Sequence, residues 1–236
     1  MGRRNVLIAA VGALALAVGA AATAATGSAA SPTAAAAVAR PRQVVTVSAP
    51  TARATTARLS VFELDAAGRY RRVAGPWTAR VGYNGVGRAH EGSGRTPAGV
   101  WPLGVAFGVG TKNPGTRLSW FTATSRDVWG SDVRSPATYN RHLRCARGSC
   151  PLREAHAERL VHYPVAYRYA IFIGYNAPPR TVVGAGSAFF VHVGTGTATA
   201  GCVSVSRARV VWLLRRLSPG AVVSIGVGEK AYAPVR

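Results

Sequence analysis

The chain has 236 residues and carries 29 Lys plus Arg against 8 Asp plus Glu, a formal net charge of +21. With 48% hydrophobic and 16% charged residues it can bury one sizeable core or two small ones, which excludes wholesale disorder, and its Gly and Pro show neither a collagen period nor a solenoid repeat. All the basic residues except Lys112 and Lys230 are arginine, scattered beyond the N-terminus from Arg40 to Arg236, so the charge suits a soluble protein at a polyanionic surface and no nucleic-acid stripe is present.

Met1-Gly2-Arg3-Arg4-Asn5 is a short positive segment, followed by the apolar run Val6 to Val18 and the small-residue zones Ala22-Thr23-Ala24 and Ser28-Ala29-Ala30. This order predicts a secretory signal peptide over residues 1–30. The run is short for the roughly 20 apolar residues of a bilayer span, so an uncleaved anchor is the weaker alternative and no stable membrane anchor is expected. No cysteine follows the run, which excludes a lipoprotein anchor. Cleavage removes Arg3 and Arg4 and no acid, so the expected secreted protein keeps a charge of +19. Residues 31–42 are an aperiodic Ala/Thr/Pro mixture and read as a disordered linker, leaving residues 43–236 as the folded domain.

From Gln43 the texture changes to β-branched runs broken by Gly, Pro and Asn. Strands are predicted at Val44 to Val47, Ala57 to Leu64 and Trp77 to Val81, the last ending in the turn Tyr83-Asn84-Gly85. Thr96-Pro97-Ala98-Gly99-Val100-Trp101 reads as a turn into another strand, and Thr111 to Glu158 has little periodicity. Tyr167 to Tyr175 and Ala188 to Val193 read as buried strands. One helix is expected after Ser206 as N-cap, with Val210, Leu214 and Leu217 on its apolar face and Ser218-Pro219-Gly220 as its stop, before a last strand at Val222 to Ile225. The order predicts a mainly β domain with one or two short helices.

The 3 cysteines of an exported chain allow one internal disulfide and leave one thiol over. Cys145 and Cys150 bracket a short interval whose Gly148 permits a sharp return, and they are the natural pair. A zinc site of His142, Cys145 and Cys150 is the alternative, and it lacks a fourth ligand. Cys202 remains. It follows His192 and a Gly/Thr loop, and the expected helix start just beyond it offers unpaired N–H groups that lower a thiol pKa and hold an oxyanion. His192 is the base that such a thiol needs. A buried structural cysteine and a core histidine are the plainer readings of the same residues. Gly194-x-Gly196 lacks the third glycine of a dinucleotide fingerprint, and Gly108-Val109-Gly110-Thr111-Lys112 lacks the ending of a phosphate loop. Glu91, Asp127 and Asp132 contain the elements of a glycosidase carboxylate pair, but among so many arginines ion pairing is their expected task.

The segment His192 to Val205 resembles the catalytic signature of the L,D-transpeptidase (YkuD-type) family: a histidine, a glycine-rich stretch, then Thr199-Ala200-Gly201-Cys202-Val203. Arg95-Thr96-Pro97-Ala98-Gly99-Val100-Trp101, Trp129-x-x-Asp132, Tyr139-Asn140 and Gly174-Tyr175-Asn176 are similar to outer motifs of the family. Two positions depart from the pattern: Ala200 replaces a histidine and Ser204 an arginine. The resemblance implies a β-sandwich-like domain, acting as a monomer without metal or cofactor on peptidoglycan stem peptides of an anionic cell wall. It implies Cys202 as nucleophile, His192 as base oriented by the Val193 carbonyl, N–H groups of Gly201 and Cys202 as the oxyanion hole, and Tyr175, Asn176, Thr199 and Ser204 around the substrate. Cross-linking and trimming of stems both remain open, as do a non-catalytic wall-binding module and a redox thiol, the latter disfavoured by the lack of a Cys-x-x-Cys partner.

Overall fold

The runs that alternate buried and exposed residues become strands in the computed structural model, which describes residues 40–236. The expected signal peptide and most of the linker lie outside the described residues. In chain order the strands are β1 (Gln43–Ala49), β2 (Thr56–Leu64), β3 (Tyr70–Arg80), β4 (Val86–Gly87), β5 (Thr96–Pro97), β6 (Gly99–Val109) and β7 (Trp120–Ala123). They continue with β8 (Asp127–Gly130), β9 (His142–Arg144), β10 (Ala157–Arg159), β11 (Ala170–Ile173), β12 (Phe190–Val193), β13 (Val203–Val205) and β14 (Val222–Val227). The helix α1 (Arg207–Arg216) lies between the last two, and a 3-10 helix, Gly228–Val235, ends the chain.

Nine strands form the main sheet in the order β11-β12-β13-β3-β2-β1-β14-β6-β7. β11 also pairs antiparallel with β6, Ala170 opposite Phe107 and Ile171 opposite Ala106, so the sheet closes on itself and only β7 hangs outside the ring. The domain is mainly β, as the sequence predicts, and the two layers of the expected sandwich are parts of one continuous sheet. Closure removes the open edges at which a sheet pairs with foreign strands.

Alternation along the strands sorts the side chains into two cores. Val45, Val47, Leu59, Val61, Val191, Val193, Val203 and Val205 point into the first, where Val210, Leu213, Leu214 and Leu217 of α1 join them. Val210, Leu214 and Leu217 are the face expected from sequence, and all three are fully buried. Ser206 is the N-cap residue by position but makes no side-chain capping bond. Phe107, Trp129, Leu160, Tyr167, Phe172 and Phe190 form the second core on the opposite side of the sheet.

Two sequence expectations change. Only Ala170–Ile173 of the run Tyr167 to Tyr175 is strand; Ala166–Arg168 is a 3-10 turn that drops the Tyr167 ring edge-on against Phe107 and Phe190. A continuous apolar run carries no period that separates a buried strand from a buried turn. The unreadable stretch after Thr111 contains β7 and a second sheet, β10-β8-β9, held by polar contacts instead of an apolar stripe. Asp127, fully buried, accepts from Thr124 and pairs with His142 at 2.8 Å, and Cys145 and Cys150 are joined just beyond β9 with Cα atoms 5.2 Å apart. That sheet covers the second core.

Candidate active site

β12 and β13 run parallel, with Val191 opposite Val203 and His192 opposite Ser204. Because successive side chains point to opposite faces, the valines enter the first core while Phe190, His192, Cys202 and Ser204 share the other face. His192 and Cys202 are therefore diagonal neighbours, separated along the chain by a loop and brought together by register. Both line one pocket of about 360 Å³ with Glu91, Glu158, Tyr167 and Thr199.

The turn that presents Cys202 is fixed by its neighbours. Thr199 Oγ1 donates to the Cys202 carbonyl at 2.6 Å, and buried Thr96, from the Thr-Pro motif, donates to the same oxygen at 3.4 Å. Gly201 has φ +145°, and a Cβ there would stand 2.6 Å from the Phe189 ring, so only glycine fits before the cysteine. The Gly201 N–H donates to Thr199 Oγ1 at 3.1 Å. It is thus unavailable as an oxyanion donor, contrary to the sequence expectation, whereas the Cys202 N–H has no partner among the described residues.

The helix starts where the Ser206 N-cap predicts, but not against Cys202. β13 intervenes, and α1 begins only at Arg207, so the thiol receives nothing from a helix dipole, whose effect fades within a turn. Burial, together with the negative charge of Glu158, pushes the Cys202 thiol up to about 12, against a lowering contribution from the Phe190 N–H, which donates to Sγ at 3.4 Å. The thiol itself donates to the Ala188 carbonyl at 3.5 Å. Burial holds His192 below the ordinary histidine range. Its Nδ1 lies 2.9 Å from the Val193 carbonyl, and since a carbonyl only accepts, Nδ1 carries the proton and Nε2 presents a lone pair. The Tyr167 ring packs edge-on against the imidazole at 5.7 Å. The resting site is a neutral thiol beside a neutral imidazole oriented to accept a proton.

Tyr175 and Asn176, expected at the substrate, are outside the pocket lining. The Tyr175 hydroxyl donates to the carbonyls of Ala89 and Ala185, while Asn176 Nδ2 donates to those of Val182 and Gly186. Asn140 binds the Tyr175 and Asn176 carbonyls through Nδ2 and accepts from Trp129 Nε1 and the Ala188 N–H through Oδ1. These outer motifs shape the wall at Gly186 to Phe189 and do not themselves line the pocket. Ser204 is buried with its Oγ unpartnered, directly across from His192. Sequence reasoning missed Glu158 and Tyr167, and assigned Glu91 to ion pairing. Instead Glu91 accepts from the hydroxyls of Tyr139 and Ser187, and Glu158 from that of Tyr167; burial raises Glu158 to about 7. Asp127 does pair with His142 and Arg144, and Asp132 caps a turn through Ser135 and the Arg134 N–H.

A closed, mainly β domain that presents a histidine on one strand and a cysteine just before its parallel neighbour brings together a nucleophile and a base. The family model of the L,D-transpeptidase catalytic domain, YkuD, matches residues 44–225, and the chain belongs to that family of cell-wall enzymes. Comparisons with curated proteins and with solved structures returned no match.

Proposed function

We propose that the chain is an exported L,D-transpeptidase that forms 3-to-3 cross-links between peptidoglycan stems through a Cys202 thioester. The observation that carries this reading is the shared face of His192 and Cys202 in one pocket, with Nε2 unpaired and Nδ1 anchored on Val193. Rotation of the thiol away from the Ala188 carbonyl directs its proton to Nε2 as Sγ attacks the carbonyl of the third stem residue. The Cys202 N–H, which has no partner among the described residues, receives the developing oxyanion. Collapse of the tetrahedral intermediate breaks the bond to the terminal D-alanine, whose nitrogen takes the proton back from His192. The acceptor amine then attacks the thioester, gives a proton to His192, and the departing sulfur recovers it. Water in place of the amine yields a trimmed stem.

Cross-linking is favoured over trimming by the charge of +19 expected after removal of Arg3 and Arg4, which concentrates the protein on an anionic wall where acceptor amines are dense. Hydrolysis is the second reading. It is favoured by Ser204, which is buried where the family pattern has an arginine and so offers no cation to an acceptor carboxylate. Incubation with disaccharide-tetrapeptides followed by mass spectrometry separates the two: dimers that have lost one D-alanine are expected, monomeric tripeptides alone at high acceptor concentration establish the carboxypeptidase, and unchanged substrate with unmodified Cys202 leaves a non-catalytic wall-binding module.

A further inference from the structure

Five of the eight acidic side chains, Glu63, Asp65, Asp127, Glu154 and Glu229, are paired with arginine. Asp132 caps a turn. The other two, Glu91 and Glu158, have no basic partner among the described residues, and both line the pocket of Cys202 and His192. Among the described residues no arginine or lysine lines that pocket, although the chain has 29 such residues. The two carboxyl groups are held by hydroxyls alone, Glu158 by Tyr167 and Glu91 by Tyr139 and Ser187. Hydroxyl donors fix the position of a carboxyl group, leave lone pairs for a ligand and do not cancel its charge. A strongly basic protein thus keeps one acidic cavity at its nucleophile.

We propose that Glu158, assisted by Glu91, holds a primary ammonium group of the substrate beside Cys202 and makes these two residues determinants of specificity for amine-bearing stems. The proposal rests on the acyl-transfer reading for the origin of the amine, which is either the side chain of the donor's diamino acid or the nucleophile of the acceptor stem. The negative charge of Glu158 favours the protonated thiol. An ammonium ion against Glu158 offsets that charge, so Cys202 gives up its proton more readily when the correct substrate fills the pocket.

The full chain has a single free thiol, Cys202, which permits a test that needs no wall substrate. Its rates of modification by 2-aminoethyl and 2-sulfonatoethyl methanethiosulfonate, a cation and an anion of similar size, are compared. The ratio cancels changes in thiol reactivity, and the net charge of the protein biases it toward the anion. A preference for the cation of about 10-fold, reduced about 3-fold or more in Glu158→Gln and in Glu91→Gln, is expected. An anion preference in the unaltered protein, or a ratio that neither substitution changes, overturns the proposal. The unaltered protein decides the matter even where one variant fails to fold.

A second arm assigns the source with tetrapeptide donors whose side-chain amine is free or acetylated. If the donor supplies the ammonium, acetylation slows Cys202 acylation about 10-fold and Glu158→Gln abolishes the difference. If the acceptor supplies it, both donors acylate alike and Glu158→Gln lowers the ratio of cross-link to hydrolysis. No response of either quantity to the substitution rejects the role in specificity. Failure of every donor to acylate the unaltered protein refutes the transpeptidase reading instead, and the reagent ratio still reports the charge of the pocket.

Discussion

At the residue scale the site is governed by where a proton rests. Burial raises the thiol of Cys202 to about 12 and lowers His192, so no stable thiolate–imidazolium pair forms and proton transfer accompanies attack. Cys202→Ala is expected to abolish the acyl-enzyme and His192→Ala to reduce acylation about 10²-fold or more, with the double variant no worse than Cys202→Ala alone, because the two act as a unit. Intact-mass kinetics of the acyl-enzyme measure this. Retained activity in His192→Ala directs attention to His90, the other histidine of the pocket. Iodoacetamide alkylation of Cys202, which follows the thiolate, is expected to keep climbing through pH 10 without the plateau of a thiol near 9.0. Glu158 adds a stability effect. Its folded-state value of about 7 lies above the ordinary glutamate value of 4.5, so its contribution is complete below 4.5 and is lost as the pH rises through 7. Glu158→Gln keeps a hydrogen-bond acceptor for Tyr167 and is expected to be more stable than the unaltered protein at pH 8 by about 1–3 kcal/mol, with the gain vanishing at pH 4 in denaturant titrations.

The element that matters most is the β12–loop–β13 unit. Parallel pairing of two short strands places His192 and Cys202 on one face, and the turn before β13 depends on Gly201, whose conformation and contact with Phe189 exclude a side chain. Gly201→Ala is expected to cost about 1–3 kcal/mol and to displace Cys202, lowering acylation by more than the loss of folded protein explains. Melting curves beside acyl-enzyme burst amplitudes separate the two effects. The glycine was legible in the sequence as part of the Gly-Cys signature, and its reason was not, since the clash is with residue 189 across the pocket. The helix was legible because a 3.6-residue period survives in isolation. The strand between Cys202 and that helix was not legible, because three residues, Val203–Val205, are too few to announce one.

For the whole molecule, closure of the sheet and the small β10-β8-β9 sheet laid over it divide the work between frame and pocket. The Cys145–Cys150 link fastens the small sheet, and Arg159 of β10 contacts both Glu154 and Cys150 Sγ beside it. The loop is short, so Cys145→Ser with Cys150→Ser is expected to lower stability by about 2 kcal/mol, a fall of roughly 4–8 °C in Tm. Differential scanning calorimetry of the double variant measures it, and an unchanged Tm shows that the polar contacts of Asp127, His142 and Arg159 hold the sheet unaided.

The mainly β character, the helix and its buried face, the cysteine pairing and the His192/Cys202 candidates were readable in the chain because each depends on local periodicity, spacing or a contiguous motif. Tertiary structure alone decided the rest. It closed the expected layers into one sheet through the pairing of β11 with β6. It made Tyr175 and Asn176 supports of the pocket wall instead of lining residues, and it engaged the Gly201 N–H with Thr199. It also carried Glu91 and Glu158, 67 positions apart in the chain, into the same cavity as Cys202. Such placements depend on which distant strands pair, and no local pattern encodes the charge that a buried carboxyl group meets after folding.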